Sequence, residues 1–216
     1  MHHHFNEQSV KTEGKLIPWA SHYDLITRLM TFGQIRRLRT VTIELALLKA
    51  GEAVLDVGCG TGGVTIPAKL KAGTSGMVAG IDPSPEMIAT ARKKAQRKGL
   101  QIDFQSGVIE DLPYPDASFD AVTSSLMMHH LPDHLQVQGL AEIYRVLKPG
   151  GRLLIADIDS ANSSKKHLSL DLLAMHLHGT PFKIDDLVGA LTAAGFREIN
   201  HLDQHFSIIG FLHTRK

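Results

Sequence analysis

Val54-Leu55-Asp56-Val57-Gly58-Cys59-Gly60-Thr61-Gly62-Gly63 is the stretch on which the reading of this chain turns. A short apolar run ends in closely spaced glycines, and a helical pattern follows to about Ala72. Glycine permits the tight turn and, lacking a Cβ, lets a ligand lie against bare backbone at a helix N-terminus. Gly58, Gly60 and Gly63 also satisfy G-x-G-x-x-G, a pattern shared with dinucleotide sites and weak when alone. Asp56 precedes the first glycine by two residues. A pyrophosphate there would meet a carboxylate, an unfavourable like-charge contact, whereas a cationic ligand end is favoured. Asp82 stands 24 residues after Gly58. That spacing suits a carboxylate accepting both ribose hydroxyls and fits either ligand class. A structural glycine turn with incidental acids is the competing reading. Cys59 reads as a small packing residue.

Outward from this loop the pattern alternates. Strands are predicted at Ala53–Val57, Met77–Asp82, Ile102–Gln105, Phe119–Ser125 and Arg152–Asp157. Ser84-Pro85-Glu86 opens a helix, with Ser as N-cap, Pro at the first position and Glu near the positive end. Its inward residues are Met87, Ile88, Ala91 and Ala95, and it stops near Gly99. Another helix spans about His134 to Leu147, and Pro149-Gly150-Gly151 breaks it. Alternation of this kind means parallel βαβ units. At the end, Phe196–Leu202 and Phe206–His213 are too closely connected to be parallel and form an antiparallel pair. The expected fold is α/β and Rossmann-like. It has a seven-stranded, mostly parallel sheet with a C-terminal antiparallel hairpin, helices on both faces and an N-terminal helical cap. Residues 1–18 read as a flexible tail and 19–216 as a single domain. Residues 19–50 are its cap helices. Ile35, Leu38, Val41, Leu45 and Leu48 recur at helical spacing, and Gly51 is the expected stop.

The chain has 216 residues, 43% hydrophobic and 21% charged, with 23 basic and 22 acidic side chains. That composition suits a soluble globular protein and offers no basic footprint for nucleic acid. One cysteine allows no internal disulfide, and the start lacks the apolar core of a signal peptide, so a cytoplasmic location is expected. No apolar run approaches the ~18 residues of a membrane span.

Four segments in order carry a resemblance. Val54–Gly62, Gly80-Ile81-Asp82-Pro83-Ser84-Pro85-Glu86-Met87, Glu110-Asp111-Leu112-Pro113-Tyr114 through Asp120, and Arg145-Val146-Leu147-Lys148-Pro149-Gly150-Gly151-Arg152-Leu153 resemble the motifs of class I S-adenosylmethionine (SAM)-dependent methyltransferases. Within that class the chain is similar to the ubiquinone/menaquinone C-methyltransferase group. Tyr23-Asp24-Leu25 through Gly33 resembles the amino-terminal helices of that group. The resemblance implies SAM as cofactor, S-adenosylhomocysteine (SAH) as product and a small-molecule methyl acceptor. By position, Gly58, Gly60 and Thr61 would contact the methionine part, with Asp56 toward its ammonium. Asp82 and Pro83 would border the ribose. Met87, Val108, Ile109 and Glu110 would border the adenine, and Ser125 would approach the sulfonium. The family often has Asp or Asn where this chain has Val108; valine cannot bond an amino group, and Ile109 backbone or Glu110 would have to serve.

Methyl transfer needs a base only when the acceptor carries a proton of high pKa. His129 and His130, after the fourth strand, are the candidates, since that loop faces the crevice and histidine exchanges protons near neutral pH. Local packing is the alternative for both. Tyr23, His130 and Asp157 are candidate acceptor contacts. No metal is expected, because the many histidines show no ligand spacing. Ser169–His178 is a largely apolar helix, either a cover over an apolar acceptor or ordinary core. Arg28, Arg36, Arg37 and Arg39 form either a solvated face or a surface for peripheral membrane contact with a quinone-like substrate. A non-catalytic SAM-binding protein, or a methyltransferase of lipid headgroups or macromolecules, would carry the same binding motifs.

Overall fold

The computed structural model describes residues 12–14, 34–160, 182–202 and 209–216. Tyr23, Arg28, most of the expected tail, the first cap helix and the apolar run Ser169–His178 lie outside the described residues.

The described elements are α1 (Ile35–Leu45), β1 (Ala53–Val57), α2 (Thr65–Ala72), β2 (Met77–Asp82), α3 (Pro85–Arg97), β3 (Asp103–Ser106), β4 (Phe119–Ser125), α4 (Asp133–Val146), β5 (Leu147–Ile158), α5 (Leu187–Ala194), β6 (Arg197–His201) and β7 (Ile209–Arg215). The sheet has seven strands in the order β3-β2-β1-β4-β5-β7-β6. Pairings among β3, β2, β1, β4 and β5 are parallel, and β7 runs antiparallel to both β5 and β6. The fold class and the antiparallel end match the sequence expectation. β1 and β4 are neighbours although β2 and β3 lie on the other side, so strand order reverses there. Such a switch point opens a crevice at the carboxyl ends of the strands.

β1 is buried at all five residues because both faces are covered. Ala53, Leu55 and Val57 pack with α4 and α5 through Leu140, Ile143 and Leu191. Val54 faces the other layer, with Ile43 of α1 and Val64, Ala68 and Ala72 in and beside α2. This parity sets where every β1 side chain goes, Asp56 included.

Two boundaries differ from expectation. α1 ends at Leu45, not near Gly51. The Arg152 guanidinium meets its last carbonyls, with Nε donating to Ala46 O at 2.7 Å and Nη2 to Leu47 O at 2.8 Å. The same group pairs with Glu52 at 2.5 Å. β5 starts at Leu147, because Pro149-Gly150-Gly151 bends the strand without ending it. Leu147 pairs with Phe119 before the bend, Arg152 pairs with Ala121 after it, and a register shift absorbs the difference.

Candidate functional site

A cleft opens over the carboxyl ends of β1, β2, β3 and β4. Of the residues singled out from sequence, Gly58, Gly60, Asp82, Pro83, Met87, Val108, Ile109, Glu110, Ser125 and His130 line it together.

The glycine loop is shaped by sterics and by Asp82. Gly58 has φ +72, and a Cβ there would come within 2.4 Å of Met127 Cγ. Gly60 has φ +52, and a Cβ there would meet nothing within 4 Å, so its bare backbone faces open space. The N–H groups of Gly58 and Cys59 both donate to Ile81 O, at 2.9 and 3.0 Å. Gly60 N–H donates to Asp82 Oδ2, and Ser84 N–H donates to Asp82 Oδ1, each at 2.9 Å. A phosphate would therefore find these loop donors occupied and a carboxylate beside them, which disfavours a dinucleotide. Each Asp82 oxygen keeps a second lone pair for a hydroxyl. Burial pushes the Asp82 carboxyl up, and the two N–H bonds partly oppose it.

Asp56 is not on the cleft wall. It shares the parity of Val54, lies under the start of α2 and is 1% exposed. It accepts from Thr65 Oγ1 at 2.6 Å and Thr123 Oγ1 at 2.8 Å. Burial pushes its carboxyl up to about 6 against those hydroxyls. Asp56 braces β1, α2 and β4 beneath the loop, so a direct contact with a ligand in the cleft is not open to it, and the expected link to a methionine ammonium would have to run through water. Thr61 is also buried off the wall, and its carbonyl accepts from Lys94 Nζ at 3.2 Å.

The loop after β4 holds the second group. Leu126 takes a left-handed φ of +55, and a single 3₁₀ turn, Met128–His130, follows. Asp157, at the end of β5, fills the turn. Its Oδ2 accepts N–H bonds from Met127 at 3.2 Å, Met128 at 2.7 Å and His129 at 3.4 Å. Its Oδ1 accepts from Ile158 N–H at 2.7 Å and contacts His129 Nδ1. Burial alone would raise the carboxyl, but the His129 charge and these bonds together hold it below its usual range. Asp157 is fully buried, so it is not an acceptor contact. His129 is not on the wall. His130, its ring tilted against that of His129 with centroids 4.0 Å apart, is. Tyr23 lies outside the described residues.

Sequence reasoning passes over Leu126, Met127 and Leu131, which add an apolar wall, and Thr12 and Gly14, which border the cleft. The apolar run after β4 signals the first group. Nothing local signals Thr12 or Gly14 within a polar tail. Among the described residues no three His, Cys, Asp or Glu side chains converge as metal ligands, and no helix is long and apolar enough to cross a membrane.

Residues 54–151 match the family model described as a methyltransferase domain. A curated demethylmenaquinone methyltransferase from Thermus thermophilus is 41% identical over 138 residues, covering 64% of this chain and 61% of the relative. The chain spans about three fifths of the length of the curated relatives it matches. A SAM-dependent methyltransferase from Aquifex aeolicus superposes with TM-score 0.73 at 23% identity, over 93% of this chain and 99% of the other. The [4+2]-cyclase SpnF superposes with TM-score 0.66 at 23% identity, over 84% of this chain and 80% of the other, so the fold is shared by proteins named for different reactions. Residues 54–151, a little under half of the chain, thus resemble a methyltransferase domain, and the chain shares its Rossmann-like fold with a SAM-dependent methyltransferase of known structure.

Proposed function

We propose that the chain transfers a methyl group from SAM to a small apolar or aromatic, quinone-like acceptor. One observation carries this reading: the cleft joins a polar half, built from glycine backbone and Asp82, to an apolar half built from Leu126, Met127 and Leu131. When bound, SAM supplies an activated methyl for direct displacement by a nucleophile. The residues present suit it. Gly60 offers backbone without a Cβ in the way, and Asp82 offers acceptors for two hydroxyls. Met87, Pro83, Val108 and Ile109 give the base a largely apolar slot, and Ser125 also lines the cleft. Leu126, Met127 and Leu131 exclude water on the acceptor side and help hold the acceptor in line. The His130 imidazole, on the wall, is the group placed to accept a proton from a phenolic or hydroquinone acceptor. The names of the curated relatives support the quinone-like class.

The test is calorimetric titration with SAM, SAH and NAD, followed by incubation of methyl-labelled SAM with a reduced demethylated naphthoquinone, phenols, amines and thiols. Binding of SAM and SAH with label recovered in one acceptor class supports the reading. Binding of NAD alone overturns it. Binding of SAM and SAH without any transfer would favour the second reading, a SAM-binding protein without methyl transfer.

A further inference from the structure

The chain is nearly neutral as a whole, but its charges are unevenly placed. Residues 34–99, from α1 to just past α3, hold eleven Lys and Arg against five Asp and Glu. Of those acids Asp56 is buried, Asp82 is engaged at the glycine loop and Glu52 pairs with Arg152. Glu44 and Glu86 are the exposed acids that remain. The α1–α3 side of the sheet therefore carries a positive field that the overall composition hides.

A groove lies within that field. α2 and α3 each follow a parallel strand, so they start at the cleft end of the sheet and finish at the amino ends of the strands. There the groove opens between the end of α2, the start of β2 and the end of α3. Val78, Ala95 and Phe104 are its buried floor, Leu100 and Ile102 are partly exposed, and Met77 stands at the lip, 53% exposed. Lys69 and Arg92 line it from α2 and α3. Lys69 Nζ donates to Gly76 O at 2.6 Å and Arg92 Nη2 to Phe104 O at 2.7 Å, so both stems are held along the rim. Lys93 and Arg97, four residues apart, form the next stripe on α3, and Lys71 lies in the last turn of α2. Among the described residues no acidic side chain pairs with Lys69, Lys71, Lys93 or Arg97. Asp103 is the acid among the lining residues, and Gln105 Nε2 donates to it at 2.7 Å.

Shape and charge together select the occupant. The apolar floor is recessed below its basic rim, where a flat bilayer surface does not reach it. A nucleic acid has phosphates for the rim but no apolar side chains for the floor, and the lining ring, Phe104, is buried, not offered for stacking. Arg92 already occupies a carbonyl of the edge strand β3, which works against an added strand. We propose that this groove docks an acidic amphipathic helix of a partner protein, with its apolar side chains toward the floor and its carboxylates toward Lys69, Arg92, Lys93 and Arg97. Groove and cleft lie at opposite ends of the strands, so the partner binds with the cleft open. The proposal stands whatever ligand the cleft takes.

The test uses a fluorescein-labelled peptide of about 18 residues, long enough to be helical, with Leu at i, i+3, i+4 and i+7 and Glu at most other positions. Fluorescence anisotropy reads its binding to the full chain. A scrambled peptide of the same composition, phosphatidylcholine vesicles containing phosphatidylglycerol, and poly(U) RNA are run beside it. The helical peptide should bind about tenfold or more tightly than the scrambled one, a difference that charge alone does not produce. The double variant Lys93→Glu/Arg97→Glu should weaken it about tenfold, and added salt should weaken wild-type binding in the same direction. Met77→Gln should weaken it several-fold with little change in salt dependence. All three substitutions are at exposed positions, so thermal midpoints should stay at the wild-type value. Equal binding of the two peptides, no peptide binding, or binding unchanged in both variants overturns the proposal. Tighter binding to the vesicles or to poly(U) than to the helical peptide also overturns it, and would assign the positive face to a membrane or to RNA.

Discussion

Replacing Asp157 by alanine should cost more than any surface change of similar size. The carboxylate receives four backbone N–H bonds, from Met127, Met128, His129 and Ile158, and contacts the His129 imidazole, all away from water. Alanine leaves those donors without this acceptor and the buried His129 Nδ1 without its carboxylate partner. Removing one partner of a buried pair destabilises by about 3–5 kcal/mol. Against a typical total of about 5–15 kcal/mol, that is a large share. Urea unfolding at pH 7 should show the loss as a lower midpoint at unchanged slope. The pH dependence has a fixed sign. A carboxyl held below its usual range contributes stability above its unfolded pKa and loses it as pH falls through the lower folded value. The gap between wild type and Asp157→Ala should thus be full at neutral pH and narrow below about pH 4. The turn that seats Met127 against Gly58 should relax as well, so SAH should bind more weakly. A loss under about 1 kcal/mol at pH 7, or a gap that persists undiminished in acid, would refute the role assigned to Asp157.

Asp82→Ala should weaken SAH by about 1–3 kcal/mol, or roughly 5- to 150-fold in Kd; calorimetry showing unchanged affinity would sink the ribose assignment. Gly58→Ala and Gly60→Ala make a matched pair: both force a side chain into left-handed φ, but only the first drives a Cβ into Met127. Gly58→Ala should have the lower thermal midpoint, and equal midpoints would contradict the close approach. Asp56 is shifted up by burial, from its ordinary 3.8 to about 6. A raised carboxyl means the folded state holds the proton longer, so wild-type stability should fall as pH rises through that window, by about 3 kcal/mol. Asp56→Asn should flatten this part of the urea-derived stability profile; an unchanged slope would show that another group causes it.

The sheet was legible where burial and punctuation coincide. Sequence bounds for β1, β2 and β4 agree with the structure to the residue, since each is an apolar run closed by glycine, acid or serine. The end of α1 was not, because its stop is supplied by Arg152, 106 residues away from Ala46 in sequence. Gly51 offered a local stop that the tertiary contact overrides. Asp56 illustrates a readable signal passed over: its shared parity with Val54 sends it to the α2 layer, whatever its closeness to the glycines. Asp157 and Thr12 had no such signal. Both act through backbone or side-chain groups some 30 and 98 positions distant, which periodicity does not encode.

β7 occupies the slot between β5 and β6 and hydrogen-bonds to both. It follows β6 in sequence, so during synthesis five parallel strands and β6 emerge before the piece that joins them. Until residues 209–215 arrive, β5 and β6 each present a row of unpaired backbone groups, the kind of edge that recruits foreign strands. The nascent domain therefore has a window in which its cleft-forming half is complete while its far edge is adhesive. A chaperone covering β5 would shorten the exposure of that edge.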